Sequence, residues 1–183
     1  MHLLPLHLPL RQLRLDFFVN LHTLTMSRTG KIKKRTVQND PLYENRLLAR
    51  FINRVMYDGK KGVAAQMVYK AFEMIKQKNL DPLAVFQTAL SNVGPKMEVR
   101  PRRVGGASYQ VPVEVRGDRR VSLSIRWIIA AATSRSNKQY HTFAEKLAAE
   151  LLDAYNNTGE AIKKRDFMQR NAEANRAFAH FRW

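Results

Sequence analysis

From residue 41 onward, apolar positions recur mostly at intervals of three and four, the period of helices that bury one face. Leu47, Leu48, Phe51, Ile52, Val55 and Met56 form one side of a first helix, and Arg46, Arg50 and Arg54, four residues apart, form the other. Asp40 and Pro41 carry N-cap and first-turn preferences, so this helix is expected to start there; Tyr57, Asp58 and Gly59 end it, with Lys60 and Lys61 in the turn. Val63, Ala64, Met67, Val68, Ala71, Phe72 and Ile75 mark a second helix. Asp81 and Pro82 open a third, carrying Leu83, Val85, Phe86, Ala89 and Leu90 and closing near Gly94 and Pro95. A fourth runs from Arg119 to about Ser134 with Leu123, Ile125, Ile128, Ile129 and Ala132 inside; Trp127 is a core anchor or a stacking platform, and its apolar neighbours favour the core. A fifth holds Phe143, Leu147, Leu151, Leu152 and Tyr155, stopped by Asn156, Asn157 and Gly159; a sixth holds Ile162, Phe167 and Met168.

The period breaks once, between the third and fourth helices. Over 97–116, two Val-rich runs flank Gly105 and Gly106, residues that accept the positive φ of a tight reversal. Arg100, Arg102, Arg103, Arg116 and, just beyond, Arg119 make it a basic hairpin. With Val99 opposite Val113, the residues Met97, Val99, Val111, Val113 and Val115 would share an apolar face and Arg100, Arg102 and Gln110 the other. Pro101 and Pro112 would mark both strands as edges. The predicted fold is mainly α: a single domain of about six helices with one protruding basic β-hairpin.

Charge gives this architecture a partner. Lys and Arg number 32 against 15 Asp and Glu, a formal net charge of +17. Excess charge of that size is relieved by a polyanion, and guanidinium groups match phosphate with a planar fork of donors. No apolar run is long enough to span a bilayer, and the basic residues are spread through the chain, so a membrane partner is not expected. Cysteine is absent, which excludes disulfides, zinc ribbons and thiol catalysis. Residues 26–40 read as a basic arm too poor in apolar residues to fold alone, with Lys31, Lys33, Lys34 and Arg35 available to phosphates. Residues 1–25 are Leu-rich and broken by Pro5 and Pro9. Three readings of them stay open: an upstream start assignment with Met26 as first residue, a disordered extension, and a targeting peptide. The domain proper is expected over 41–183.

Catalytic patterns are missing. His141 and His180 stand alone, and no HExxH, nucleophile elbow, Walker loop or GxGxxG occurs, so no catalytic residue, metal or cofactor is predicted. Glu98 and Glu114 could face each other across the hairpin, but the adjacent Arg100 and Arg116 favour surface salt bridges. A DNA-binding architectural protein is the second rival, because counterion release does not distinguish DNA from RNA.

RRVGGASYQVPVEV (102–115), DGKK (58–61), Arg126 with Trp127, KKR (163–165) and the terminal AEANRAFAHFRW together resemble the bacterial type of the small-subunit ribosomal protein seven family, in order and spacing from Met26 to Trp183. The resemblance implies a six-helix domain with a β-ribbon arm and a structural role as a primary binder of the 3′ major domain of small-subunit ribosomal RNA. It also implies nucleation of head assembly, a location near the exit-site transfer RNA and messenger path, and head proteins and platform protein eleven as neighbours. The compartment would be the bacterial cytoplasm, with an organellar ribosome as the alternative. Carried over by position, Lys31, Lys33, Lys34, Arg35, Arg46, Arg50, Arg54, Lys60 and Lys61 match RNA-facing regions, as do the hairpin and fourth-helix residues Arg100, Arg102, Arg103, Arg116, Arg119, Arg120 and Arg126. Tyr109, Gln110, Arg176, His180 and Arg182 fall in motifs near transfer and messenger RNA. The loop from Arg135 to His141 is longer and less basic than the family's, and Gln169 and Asn171 replace a usual His and Met; RNA contact is not carried over to that loop.

Overall fold

A computed structural model describes residues 36–181, and Val37 onward belongs to one compact unit. Lys31, Lys33, Lys34, Arg35 and Arg182 lie outside the described residues, as does the extension over 1–25. Among the described residues the elements run α1 (Arg46–Val55), α2 (Lys61–Lys76), α3 (Pro82–Val93), β1 (Met97–Val104), β2 (Ala107–Glu114), α4 (Gly117–Ser134), α5 (Phe143–Tyr155), α6 (Glu160–Ala174) and a 3-10 helix, Arg176–Phe181. The mainly helical body with one hairpin between its third and fourth helices is as the periodicity predicted.

The helix faces meet in one core. Phe51, Phe72 and Phe86 stack edge to face or tilted at its α1–α2–α3 end, with centroids 5.3 and 5.8 Å apart, and Ile128, Leu147 and Leu151 fill the α4–α5 side. Trp127 is buried there as expected. Asp81 caps α3 by accepting from the Leu83 and Ala84 amides, with Pro82 in the first turn.

The first helix starts later than the sequence suggested. Asp40 instead closes a turn, its carboxylate accepting from the amides of Leu42 and Tyr43 and, at 2.7 Å, from the Tyr69 hydroxyl of α2. Glu44 takes a left-handed φ of 49°, and Asn45 is the real N-cap, accepting from Leu47 and Leu48. Two cap-competent residues stood in tandem, and a contact with α2 assigned them different work. Burial, together with the hydrogen bond to Asp40, pushes the Tyr69 phenol up to about 12.

The hairpin register also differs, by one residue. Val104 pairs with Ala107, so Val99 stands opposite Pro112 and Glu98 opposite Val113. The turn decides this: Gly105 and Gly106 both take positive φ, 56° and 89°, the geometry of a two-residue reversal that fixes every pair behind it. Cross-strand partners share a face, so Arg100 and Arg102 lie with Val111 and Tyr109, while Gln110 and Pro112 lie with Met97 and Val99. The expected division into an apolar and a basic face fails because both faces of the hairpin base are covered. Val111 and Pro112, neighbours in sequence, are both buried, and α6 and the 3-10 helix pack against the strands.

Candidate nucleic-acid interface

Two carboxylates organise the arginines of three elements. Glu98 on β1 is 3% exposed, and its oxygens accept from Arg100 Nε at 2.7 Å and Arg119 Nε at 2.7 and 2.8 Å. Both guanidinium groups remain about half exposed, so they are positioned by the buried acid while their outer edges stay in solvent. Asp118, in the first turn of α4 where a negative charge suits the helix dipole, lies 3.7 Å from Arg50 of α1. Arg50, Asp118, Arg119, Glu98 and Arg100 thus run from α1 through the start of α4 to the hairpin base as one belt of alternating charge, three arginines against two acids.

Around that belt, Arg46 and Arg54 are exposed at either end of α1, and Lys60 and Lys61 are exposed at the start of α2. Arg103, Arg116 and Arg126 are exposed, and Arg102, half-buried, pairs across the hairpin with Tyr109. Arg120 is drawn inward: its Nε donates to the Gly94 carbonyl and its Nη2 to that of Ser91, capping the C-terminal end of α3. A Cβ at Gly94 would come within 2.6 Å of Arg120 Nε, so a larger residue there would push the capping guanidinium aside. Arg120 therefore acts mainly on the protein's own backbone.

Glu98 and Glu114 do not form a carboxylate pair. They occupy opposite faces of the hairpin; the expected bridge between Glu98 and Arg100 forms, and Arg119 joins it, but the Glu98 carboxylate is buried and not on the surface. The signal available in the sequence was an acid with cations near it in the chain; its second partner, Arg119, is 21 residues away on α4.

Arg135, at the C-terminal end of α4, also points inward. It donates from Nε and Nη2 to Glu150, at 2.8 and 2.5 Å, and to Asp153. Burial works against its charge, but the hydrogen bonds to Asp153 and Glu150 outweigh it and hold the guanidinium above its ordinary range. Glu150, fully buried, also accepts from the Ala161 amide at 3.1 Å and so caps α6, whose N-cap Gly159 has no side chain to do so.

At the hairpin's other end, Tyr109 packs against Phe178 and Phe181 with centroids 5.3 and 5.0 Å apart. Arg176 and His180, from the same 3-10 helix, are exposed beside this cluster. The tail aromatics were not among the residues singled out, although the Phe-Ala-His-Phe spacing carried the signal. No helix of the described residues is long and apolar enough to cross a membrane, and among them no group of three or more His, Asp or Glu could hold a metal ion.

A family model described as Ribosomal protein S7p/S5e matches residues 27–176. The chain belongs to the Ribosomal protein S7p/S5e family. Members of the S7p/S5e family are structural, non-enzymatic constituents of the small ribosomal subunit, which carries ribosomal RNA binding and translation as its setting. The small ribosomal subunit protein uS7 of Caldicellulosiruptor bescii is 57% identical over 159 residues, covering 86% of this chain and all of that relative. The proteins of the same name from Desulfitobacterium hafniense and Streptococcus thermophilus are 55% identical with the same coverage. The family membership agrees with the resemblance found in the hairpin and tail motifs.

Proposed function

We propose that this protein is a primary binder of the 3′ major domain of small-subunit ribosomal RNA, and that its binding nucleates folding of the subunit head. The supporting observation is that the buried Glu98 fixes Arg100 of β1 and Arg119 of α4, with Arg50 of α1 close by at 3.7 Å from Asp118. Such an array is set before RNA arrives, which reduces the side-chain ordering cost on binding. A-form major grooves are too narrow for side-chain reading, so recognition rests on phosphate contact and fit to a folded junction. Arg46, Arg50, Arg54, Lys60 and Lys61 take one side of the junction, and Arg100, Arg102, Arg103, Arg116, Arg119 and Arg126 the other. Lys31, Lys33, Lys34 and Arg35 follow the backbone as an arm over 26–40, and Arg120 contributes charge while serving its capping role.

The hairpin tip and tail, with Tyr109, Gln110, Arg176, His180 and Arg182, lie near exit-site transfer RNA and the messenger path in this reading. The neighbours are head proteins and platform protein eleven, in a bacterial cytoplasmic ribosome. Filter binding of the full chain to the 3′ major domain, against scrambled RNA of equal length and duplex DNA across a salt series, tests it. Selective binding that survives near-physiological salt is expected. Equal, salt-labile binding to all three would reduce the protein to a generic polyanion binder.

A further inference from the structure

A second kind of contact is built beside the arginine belt. The turn after α1 leaves Tyr57 82% exposed, and next to it Val63 and Met67 of α2 are 50% and 37% exposed. These side chains and Phe143 line a groove of about 430 Å³ whose charged members are Arg54 and Lys60, with no carboxylate among its lining residues. We propose that this groove receives one unstacked RNA base, with Tyr57 as the stacking platform and Arg54 and Lys60 on the flanking phosphates.

Single-stranded nucleotides are recognised by this pairing of an open aromatic face with nearby cations. The volume is within the range of sites that enclose a small organic ligand, which suits a base with its sugar. Continuity supports the choice of occupant: Arg54 is also the last residue of the α1 stripe, and Lys60 precedes Lys61 at the start of α2, so the phosphates reaching the groove would extend the path across the belt. An amphipathic protein segment would need only the apolar floor. It would leave the projecting Tyr57 ring and the two cations without a common purpose.

This inference rests on the RNA-binding reading above and is tested separately from it. The full chain and its Tyr57→Ala, Tyr57→Trp and Arg54→Gln variants are titrated with 3′ major domain RNA at several salt concentrations. Tyr57 is nearly fully exposed, so its replacement leaves the core intact, which circular dichroism checks. Tyr57→Ala should bind roughly 5- to 150-fold more weakly, the range for removal of one base-stacking aromatic. Its salt slope should match the parent's, because stacking releases no counterions. Arg54→Gln should shallow the slope, and Tyr57→Trp should retain affinity and show indole fluorescence quenched by RNA. Parent-like binding by Tyr57→Ala overturns the base site; so does a variant that keeps RNA affinity and loses only the capture of a small-subunit protein. If the parent itself fails to prefer the ribosomal RNA, the RNA-binding reading falls, and this one with it.

Discussion

Replacing Arg46, Arg50 and Arg54 together by Gln separates phosphate contact from solvation of a helix face. The change leaves the fold nearly untouched. Arg46 and Arg54 are exposed, Gln has a helix propensity close to that of Arg, and the one ion pair lost, Arg50 with Asp118 at 3.7 Å, is solvent-accessible and contributes less than about 1 kcal/mol. The effect on RNA binding is larger and has a defined form. Each neutralised phosphate contributes about 0.7 to 0.9 to the slope of log affinity against log salt, so three lost contacts shallow it by roughly 2 to 3. Over a fourfold rise in salt, from about 50 to 200 mM, the parent should lose some 20- to 40-fold more affinity than the variant does. Filter binding across that range reads the slopes, and far-ultraviolet circular dichroism confirms retained helix. Parallel slopes for parent and variant would assign the stripe to solvent and refute the phosphate reading of α1.

Two further outcomes follow from the buried polar groups. Glu150→Ala removes a buried partner of Arg135 and the cap on the Ala161 amide, and should destabilise by about 3 to 5 kcal/mol in urea melts, since it leaves a largely buried charge with Asp153 as its one remaining carboxylate. A loss under about 1 kcal/mol would show that the site rehydrates. Tyr69 titrates near 12 in the folded protein against about 10 unfolded, so its bond to Asp40 contributes fully below pH 10 and is lost as pH rises through about 12. The stability difference between the parent and Tyr69→Phe should therefore be constant up to about pH 10 and shrink above it; a difference that grows with pH would contradict the assigned sign.

The helices were legible because their apolar residues keep the 3.6 period and their ends carry chemistry, as at Asp81 and Pro82. Where the reading failed, a distant partner had intervened. Asp40 offered the same local signal as Asn45, and only the Tyr69 hydroxyl, 29 residues away, shows why it caps a turn. The hairpin register was inferred by sorting side chains into an apolar and a basic face, but the paired positive-φ glycines set it, and α6 and the 3-10 helix cover the base without regard to that sorting. Among the candidate RNA residues, composition could not tell Arg126, exposed, from Arg120, which caps α3. Nor could it show that Glu98, an acid among the cations, is buried and holds Arg100 and Arg119 in place.

The clasp of Tyr109 by Phe178 and Phe181 sets an order of events during synthesis. The chain emerges from its amino terminus, so both strands of the hairpin are free well before the rings that seat Tyr109 have been made. Until then the strands are held at their base, by Arg119 on Glu98 and by α6 once it is made, while Tyr109 has neither phenylalanine to pack against. Completion of the last helical turn locks it, and RNA that needs the arm in its final orientation meets a competent surface only on a finished chain.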